Sequence, residues 1–141
     1  MLSAAGQVSL SFSSVFADDM DLLAQFYTAV FGLQEVHALH SEHFRGLQIG
    51  PTILGFSRAE TAYDLLELQR PAADAVGART FITFEVEHEH EVDDRFAVAM
   101  AAGGTAVQSA HRTYYGAWQA VALDPEGNAF RINHLPELHT G

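Results

Sequence analysis

The order of apolar and polar positions predicts a β-strand followed by a helix near the start of the chain. Apolar and small polar residues alternate over residues 8–17, which indicates a strand with two distinct faces. From Met20 to Phe31 the apolar residues recur at three- and four-residue spacing, which predicts an amphipathic helix. Asp18 or Asp19 is placed to cap this helix and Gly32 to end it. Three short strands and a short helix are predicted next, at residues 34–40, 44–49, 52–57 and 59–68.

The same order of elements then occurs a second time. It begins with a strand in which Phe81 takes the place that Phe12 has in the first strand, and the predicted elements are a strand at 80–87, a helix at 92–102 and strands at 105–109, 116–123 and 128–134. Such a repeat predicts an α+β fold of two tandem βαβββ modules. If each helix covers one face of its own sheet, the curved sheets enclose a cleft with their other faces, or these faces pair with another subunit.

The boundaries of the modules follow from the local composition. The first module with its short trailing helix is predicted at residues 1–68, and the second at residues 80–135, followed by a tail at residues 136–141. Residues 69–79 contain Pro71, Gly77 and several alanines, which is typical of a linker.

Composition limits the classes of function. With 141 residues, 48% of them hydrophobic and 18% charged, the chain is typical of a globular protein. The formal charge is -11, which argues against nucleic acid and against an anionic membrane surface as partners. The absence of cysteine excludes disulfides and a cysteine-type zinc site. Because no apolar run has membrane-spanning length and the start lacks the features of a signal peptide, we expect a cytoplasmic protein.

Four stretches, in this order and spacing, resemble one known superfamily. They are Asp19-Met20-Asp21 with Phe26-Tyr27 and Val30-Phe31-Gly32-Leu33, then Phe81-Ile82-Thr83-Phe84-Glu85-Val86, then Gly103-Gly104, and finally Asp124-Pro125-Glu126-Gly127-Asn128. Together they resemble the vicinal-oxygen-chelate superfamily, which includes glyoxalase I, bleomycin-resistance proteins and extradiol dioxygenases. The resemblance extends from about residue 8 to residue 133, and it implies a homodimer.

The metal enzymes of that superfamily hold a divalent ion with a histidine on the first strand of each module and a glutamate on the last. Carried over by position, the histidines fall on Phe12 and Phe81, and one glutamate falls on Arg131. The other glutamate falls within residues 54–56, none of which can ligate a metal. Phenyl rings do not bind a hard cation and a guanidinium repels it, so the resemblance implies a member with no metal and no cofactor.

Several residues are candidates for a ligand-binding cleft. Phe12 and Phe81, together with Phe56, are expected to line it with aromatic rings, although large aromatic residues are more often ordinary core residues. Arg131 is a candidate to bind a carboxylate, a phosphate or another acidic group of a ligand. The alternative for Arg131 is a structural ion pair with Glu85, and the sequence leaves both open.

Two further candidates lie before the Asp124 turn. Trp118, with Tyr114 and Tyr115 just ahead of it, is expected to stack on a planar ligand or to cover a dimer interface. Gln119 either offers its amide to a ligand or occupies a solvated strand position. Arg45 and Arg112 are expected to be exposed loop residues. The histidines at 37, 40 and 43 are not expected to converge, and residues 88–91 are predicted to be a polar loop.

These features lead to one functional hypothesis and its alternatives. The first is a metal-free small-molecule-binding protein of the bleomycin-resistance type, which sequesters its ligand in an aromatic cleft with Arg131 as the anionic anchor. The alternative is a metal-dependent lyase, isomerase or dioxygenase of the same superfamily with non-standard ligands, so whether the protein is an enzyme stays open. A third possibility is a subunit with no ligand of its own.

Overall fold

A computed structural model describes residues 8–139, which separate into two compact units. The first unit contains residues up to 24 together with residues 33–70, and the second contains residues 25–32 and the chain from residue 71 onward. The predicted boundaries at residues 1–7 and 140–141 lie outside the described residues. No helix within residues 8–139 is long and apolar enough to cross a membrane.

The elements of the two units follow the same order. The first stretch of chain forms β1 (Phe12–Ala17), α1 (Met20–Phe31), β2 (Gln34–Glu35), β3 (Phe44–Ile49), β4 (Thr52–Arg58) and α2 (Ala59–Leu65). The second forms β5 (Phe81–Glu85), α3 (Glu89–Ala101), β6 (Thr105–Arg112), β7 (Trp118–Leu123) and β8 (Ala129–His134).

Strand pairing confirms two tandem βαβββ modules in an α+β fold. The sheet of the first unit has the order β1-β4-β3-β2, and that of the second has the order β5-β8-β7-β6. In each sheet the first strand runs parallel to the last, and the remaining pairs are antiparallel. The repeat in the sequence is therefore a repeat in topology and in register.

Two predicted segments differ from the structure in their type of secondary structure. The strand predicted at residues 34–40 ends after Glu35, because Leu39 N bonds the carbonyl of Val36 and turns the chain into a 3-10 helix, His37–Leu39. The polar loop predicted at residues 88–91 is instead the start of α3. The backbone N–H of His88 donates to Glu91 Oε2 at 3.1 Å, and acidic residues are favourable in the first turn of a helix.

The second half of α1 packs on the sheet of the second unit, which differs from the expectation that each helix covers its own module. The ring of Phe31 stacks on Phe84 of β5 with centroids 4.0 Å apart, and Phe26 meets Phe130 of β8 edge to face at 5.8 Å. At the other end of α1, Asp19 is the cap as predicted, since its Oδ1 accepts a hydrogen bond from the backbone N–H of Leu22 at 3.0 Å. These aromatic contacts and α3 together cover one face of the second sheet.

The turn between β7 and β8 is organised by a single buried carboxylate. Asp124 is 2% exposed, and its Oδ1 accepts from the backbone N–H of Glu126 and of Asn128 at 2.9 and 3.0 Å. Its Oδ2 accepts from the hydroxyl of Tyr27 at 2.8 Å. Burial, the Asp124 charge and this hydrogen bond raise the pKa of Tyr27 above its usual range. The turn therefore fastens β8 to helix α1 within the second unit.

Candidate functional site

One face of the second sheet carries its polar residues, and we call it the arginine face. It is formed by Phe81, Thr83, Gln119, Arg131 and Asn133. The pairing register sets Thr83 beside Arg131 and sets Asn133 beside Gln119. Residues one position away, such as Phe84 and Phe130, lie on the other face and are buried. Strand alternation thus separates the apolar core of the unit from the arginine face.

Arg131 is half-buried and every group that it contacts is neutral. Its Nε donates to Thr83 Oγ1 at 2.5 Å, and its Nη1 donates to Tyr115 Oη at 3.1 Å and to Gln119 Oε1 at 2.9 Å. Its guanidinium carbon lies 5.1 Å from the ring centroid of Phe81. These contacts hold the guanidinium in one orientation while leaving its positive charge uncompensated.

The predicted ion pair between Arg131 and Glu85 is absent, so that alternative is wrong. No carboxylate of the described residues lies within 4.0 Å of the guanidinium nitrogens of Arg131. The carboxylate of Glu85 instead accepts from Asn133 Nδ2 at 2.9 Å, from Leu135 N at 2.7 Å and from His139 at 2.8 Å. Glu85 is drawn away because it lies at the end of β5, where the backbone of residue 135 passes.

The arginine face still has hydrogen-bonding capacity to offer. Among residues 8–139, nothing accepts from Nη2 of Arg131 or from Nε2 of Gln119. Asn133 is 5% exposed, and its Oδ1 is buried with no partner, while its Nδ2 donates to Glu85. A buried acceptor without a partner costs free energy, so unused polar groups of this kind are characteristic of a site that a ligand completes.

Aromatic side chains lie next to Arg131 on the arginine face, but not every aromatic residue that was predicted to lie there does so. Phe81 is 61% exposed and Tyr115 is 40% exposed, so both rings present surface next to Arg131. Trp118 is not part of this group, which corrects the prediction: its Nε1 donates to Asp93 Oδ2 at 2.8 Å on helix α3. The reason is strand alternation, since Trp118 precedes Gln119 by one residue and must face the opposite way.

Phenylalanine rings are the main feature of the corresponding face of the first sheet, and we call it the phenylalanine face. It is formed by Phe12, Phe16, Phe44 and Ile53. Phe12 is 42% exposed and meets Phe44 edge to face at 5.9 Å. Phe56, which was predicted to share the cleft, is 0% exposed and lies on the other face of its sheet, paired with Val15 in the register. It is a core residue.

The superfamily's metal positions can now be tested against the structure. Phe12 and Phe81 begin the first strands of the two sheets, and neither has a ligand atom. Arg131 and its register equivalent Gly55 take the places of the two glutamates. The ring of Phe44 covers Gly55 so closely that a Cβ there would lie 2.5 Å from it. A set of two phenyl rings, a guanidinium and a glycine does not fit a divalent cation.

Sequence reasoning missed one partner of Arg131 and misjudged Arg45. Thr83 was not proposed as a binding residue, although it shares a strand face with Phe81 and could have been found by counting. Tyr115 was expected only to stack on a planar ligand or to cover a dimer interface, and its hydroxyl was not expected to bond Arg131. Arg45 is not an exposed loop residue: its side chain is 17% exposed and it forms a two-point ion pair with Glu35 at 2.6 and 3.0 Å. Arg112 is exposed, as expected, but it ends β6 and donates from two nitrogens to the carboxylate of Glu89.

The Glu35–Arg45 pair has an electrostatic consequence. The hydrogen bonds from Arg45 hold the pKa of the Glu35 carboxyl below its usual value. Arg45 also donates to Asp21 Oδ1 at 3.0 Å, so it connects β3 to β2 and to the first turn of α1. Arg45 is thus paired with two acids, whereas no acid within residues 8–139 pairs with Arg131.

Comparisons with known proteins agree with this fold and with the resemblance of the sequence to the superfamily. A model of the Glyoxalase/Bleomycin resistance protein/Dioxygenase superfamily matches residues 8–132. The chain is similar to the crystal structure of a glyoxalase/bleomycin resistance protein/dioxygenase family enzyme from Burkholderia phytofirmans PsJN, with 39% identity, a TM-score of 0.82, and coverage of 90% of this chain and 98% of that chain.

Two more distant structures share the fold. A glyoxalase-related enzyme from Fulvimarina pelagi has 20% identity and a TM-score of 0.78, covering 91% of this chain and 88% of that chain. Lactoylglutathione lyase from Agrobacterium tumefaciens has 22% identity and a TM-score of 0.68, covering 91% of this chain and 94% of that chain. No curated protein sequence matches the chain.

Proposed function

We propose that this chain, which belongs to the glyoxalase/bleomycin resistance protein/dioxygenase superfamily, binds a small molecule with an acidic group on its arginine face, without the metal ion that the superfamily's enzymes use. The observation that carries the proposal is the state of Arg131. Its guanidinium is permanently charged and half-buried, three neutral side chains hold it, and no acid of residues 8–139 forms an ion pair with it. A guanidinium in this state can bind the anionic group of a ligand.

The geometry favours a planar acid. A guanidinium binds a carboxylate or phosphate best through two parallel N–H donors, and Nη2 of Arg131 still has both of its hydrogens available. Gln119 Nε2 supplies a further donor beside it, and the exposed ring of Phe81 offers a surface for an aromatic ligand to stack on. An aromatic carboxylic acid or an aryl phosphate combines these two requirements.

Three finer points belong to the same proposal. The ligand is held without chemical change, because the positions that hold the metal in the superfamily's enzymes are occupied by groups that do not bind one. With a formal charge of -11 the protein repels anions at long range. Binding of an acidic ligand therefore depends on its direct contact with Arg131. The homodimeric state and the cytoplasmic location stay predictions, to be tested by sedimentation and by cell fractionation.

Calorimetric titration with matched ligand pairs tests the proposal. Each aromatic acid in the panel is compared with its neutral amide, because only the acid gains a charge-assisted pair with Arg131. We expect Arg131→Gln to weaken binding of the acid by about 10- to 100-fold, the loss of one such pair. Binding of the acid should be unchanged by a chelator. Fluorescence of Trp118 is a poor reporter because this residue lies on the other face of the sheet.

Arg112→Gln is the matched control. Arg112 also lies 5.1 Å from an aromatic centroid, that of Trp118, but it is already paired with Glu89 on the opposite face. Acid binding that is equally weakened by both variants, or that is unaffected by Arg131→Gln, would contradict the proposal. Thermal unfolding of both variants verifies that the fold is intact.

A further inference from the structure

Glu85, His134 and His139 converge at the end of the second sheet, away from the positions where the superfamily holds its metal. Glu85 ends β5, His134 ends β8, and His139 follows the 3-10 helix Pro136–Leu138 that turns the chain back. One ligand atom from each lies within 4.8 Å of the other two. Among the residues that the structure describes, these are the only three histidine or acidic residues so arranged. We propose that they form a binding site for a divalent transition-metal ion.

The imidazole of His134 is oriented as a metal ligand is. Its Nδ1 lies 3.0 Å from the carbonyl oxygen of Val86, which can only accept, so Nδ1 carries the proton and donates it. The lone pair is therefore on Nε2, and no described residue donates to it. Metal-binding histidines almost always give their other N–H to a carbonyl or carboxylate in this way, which fixes both tautomer and ring orientation.

The other two ligands are also fixed by their neighbours. Glu85 Oε1 accepts from Asn133 Nδ2, and Glu85 Oε2 accepts from the backbone N–H of Leu135. His139 Nε2 lies 2.8 Å from Glu85 Oε2, and the rings of His134 and His139 are stacked with centroids 4.4 Å apart. An ion bound between Glu85 and His139 would take the place of this hydrogen bond, and the neutral imidazole of His139 would then carry its proton on its other ring nitrogen.

The donor set indicates which ion fits. Two imidazoles and one carboxylate suit Zn²⁺, Co²⁺ or Ni²⁺, while Ca²⁺ and Mg²⁺ prefer oxygen ligands alone. Tetrahedral Zn²⁺ sets its ligand atoms about 3.4 Å apart, so a small rotation of the side chains closes the group. The side chains of Glu85 and His139 are 25% and 27% exposed, so an ion has access. The fourth position is left for water.

The ion would stabilise this corner of the second unit. His139 is held near β5 by the contact with Glu85, and the ion would connect His139 to both Glu85 and His134, which are in the sheet. This inference goes beyond the ligand proposed for Arg131, because none of the three ligands touches the guanidinium. Each proposal can therefore fail while the other holds.

Titration of the whole chain, purified without a polyhistidine tag and treated with a chelator, tests the site. We expect one Zn²⁺ to bind per chain and to raise the unfolding temperature. Co²⁺ should give the visible absorption of a tetrahedral nitrogen and oxygen site. His139→Ala and His134→Ala should each weaken Zn²⁺ binding by at least about tenfold, because each removes a direct ligand. Glu85→Gln, which keeps an acceptor for Leu135, should do the same.

His90→Ala is the matched control, since His90 is exposed and lies 3.3 Å from Asp94, as an adventitious site would. It should leave Zn²⁺ affinity unchanged. The proposal is overturned if no Zn²⁺ binds, if His134→Ala and His139→Ala bind it as tightly as the unaltered chain, or if His90→Ala abolishes binding. It is equally overturned if Co²⁺ shows only the spectrum of the hydrated ion.

Discussion

The two modules share one strand order, and their last strands pair in the same register. The arginine face and the phenylalanine face each begin with a phenylalanine, Phe81 or Phe12, but they differ in the residues at their centres. Where the second module has Arg131, the first has Gly55, and where the second has Gln119, the first has Phe44. The first module therefore fills its own face, because the ring of Phe44 covers Gly55. The second leaves a charged group and unused donors on its face.

This difference shows that the backbone topology fixes where a residue lies, while the chemistry of its side chain determines whether it can bind a ligand. The same register slot holds a ring-covered glycine in one module and a fixed cation in the other. The turns that precede the last strands of the two modules, β4 and β8, also differ in what stabilises them. The first module turns at Gly50, which has a φ of 52°, and the second turns around the buried Asp124. One turn depends on backbone conformation and the other on a hydrogen-bonded carboxylate.

The largest expected effect is at the Asp124 turn. Asp124→Ala removes the acceptor for two backbone N–H groups, for Asn128 and for the buried hydroxyl of Tyr27. We expect it to lower the free energy of unfolding by about 3 kcal/mol, as for other broken buried networks. Tyr27→Phe, which removes one donor, should cost about 1 kcal/mol. Urea unfolding measures both.

Ionisation of Tyr27 makes the difference in the free energy of unfolding between the unaltered chain and Tyr27→Phe depend on pH. The pKa of Tyr27 is raised in the folded protein, so its contribution is complete below the unfolded value of about 10 and is lost as pH rises above it. Tyr27→Phe should therefore be less sensitive to pH than the unaltered chain between about pH 9 and 11. Equal costs for Asp124→Ala and Tyr27→Phe would show that the carboxylate does not organise the turn.

An intermediate effect is expected on the phenylalanine face. A Cβ at Gly55 would lie 2.5 Å from Phe44 Cε1 and 2.9 Å from Ser14 Oγ. Gly55→Ala should therefore lower the free energy of unfolding by about 1–3 kcal/mol through overpacking. Part of this loss should disappear in the background Phe44→Leu, because the ring edge is gone.

A double-mutant cycle at these two positions provides the measurement. A coupling energy above about 0.5 kcal/mol is expected for side chains in direct contact. If Gly55→Ala costs the same with and without the Phe44 ring, the ring does not fill the phenylalanine face in the way described, and the contrast with the arginine face is weakened.

The smallest effect concerns the two half-buried arginines. Glu35→Gln should cost about 1 kcal/mol at pH 7, because Arg45 keeps its second acid, Asp21. The folded-state pKa of Glu35 is lowered, so its contribution is complete above the unfolded value of about 4.3 and is lost as pH falls through the folded value. The difference between the variant and the unaltered chain should thus shrink below about pH 4.

Arg131→Gln provides the contrast for this measurement. With no carboxylate beside it, Arg131 should show no such dependence on acid pH. Thermal and urea unfolding from pH 3 to pH 7 compare the two variants. A loss of stability in Arg131→Gln that disappears in acid would mean that Arg131 has a carboxylate partner in solution.

The sequence predicted most of the fold because the fold depends on periodicity. Alternation located β3 at residues 44–49 with both ends correct, and the repeat predicted the two modules. The ends of other elements differ from the prediction, since β1 begins at Phe12 and not at residue 8, and β6 extends to Arg112 and not only to residue 109. His88 and Glu91 form the start of α3 through a local hydrogen bond that the apolar pattern does not contain. Residues 37–39 form a 3-10 helix because hydrogen bonds within the segment replace those of a strand.

The candidate site was predicted in part. Phe81, Gln119 and Arg131 come together because they lie at alternating positions of paired strands. Trp118 and Phe56 fail by the same rule, since each is one residue out of phase with the site. Counting positions from Arg131 would have separated them. Tyr115 was expected to stack on a ligand, but its hydrogen bond to Arg131 was not predicted, because Tyr115 lies in the connection between β6 and β7, where strand alternation gives no direction.

By itself, the sequence determined the family, the two modules and the loss of the superfamily's metal ligands, since these depend on residue identity and spacing along the chain. Only the tertiary structure decided which acid each arginine meets. It separated Glu85 from Arg131 and gave Glu85 to Asn133 and His139 instead. Such pairings depend on contacts between side chains that are distant along the chain. These contacts form only when the atoms come within a few ångströms of each other, and the pattern of residue types along the sequence does not show which atoms will meet.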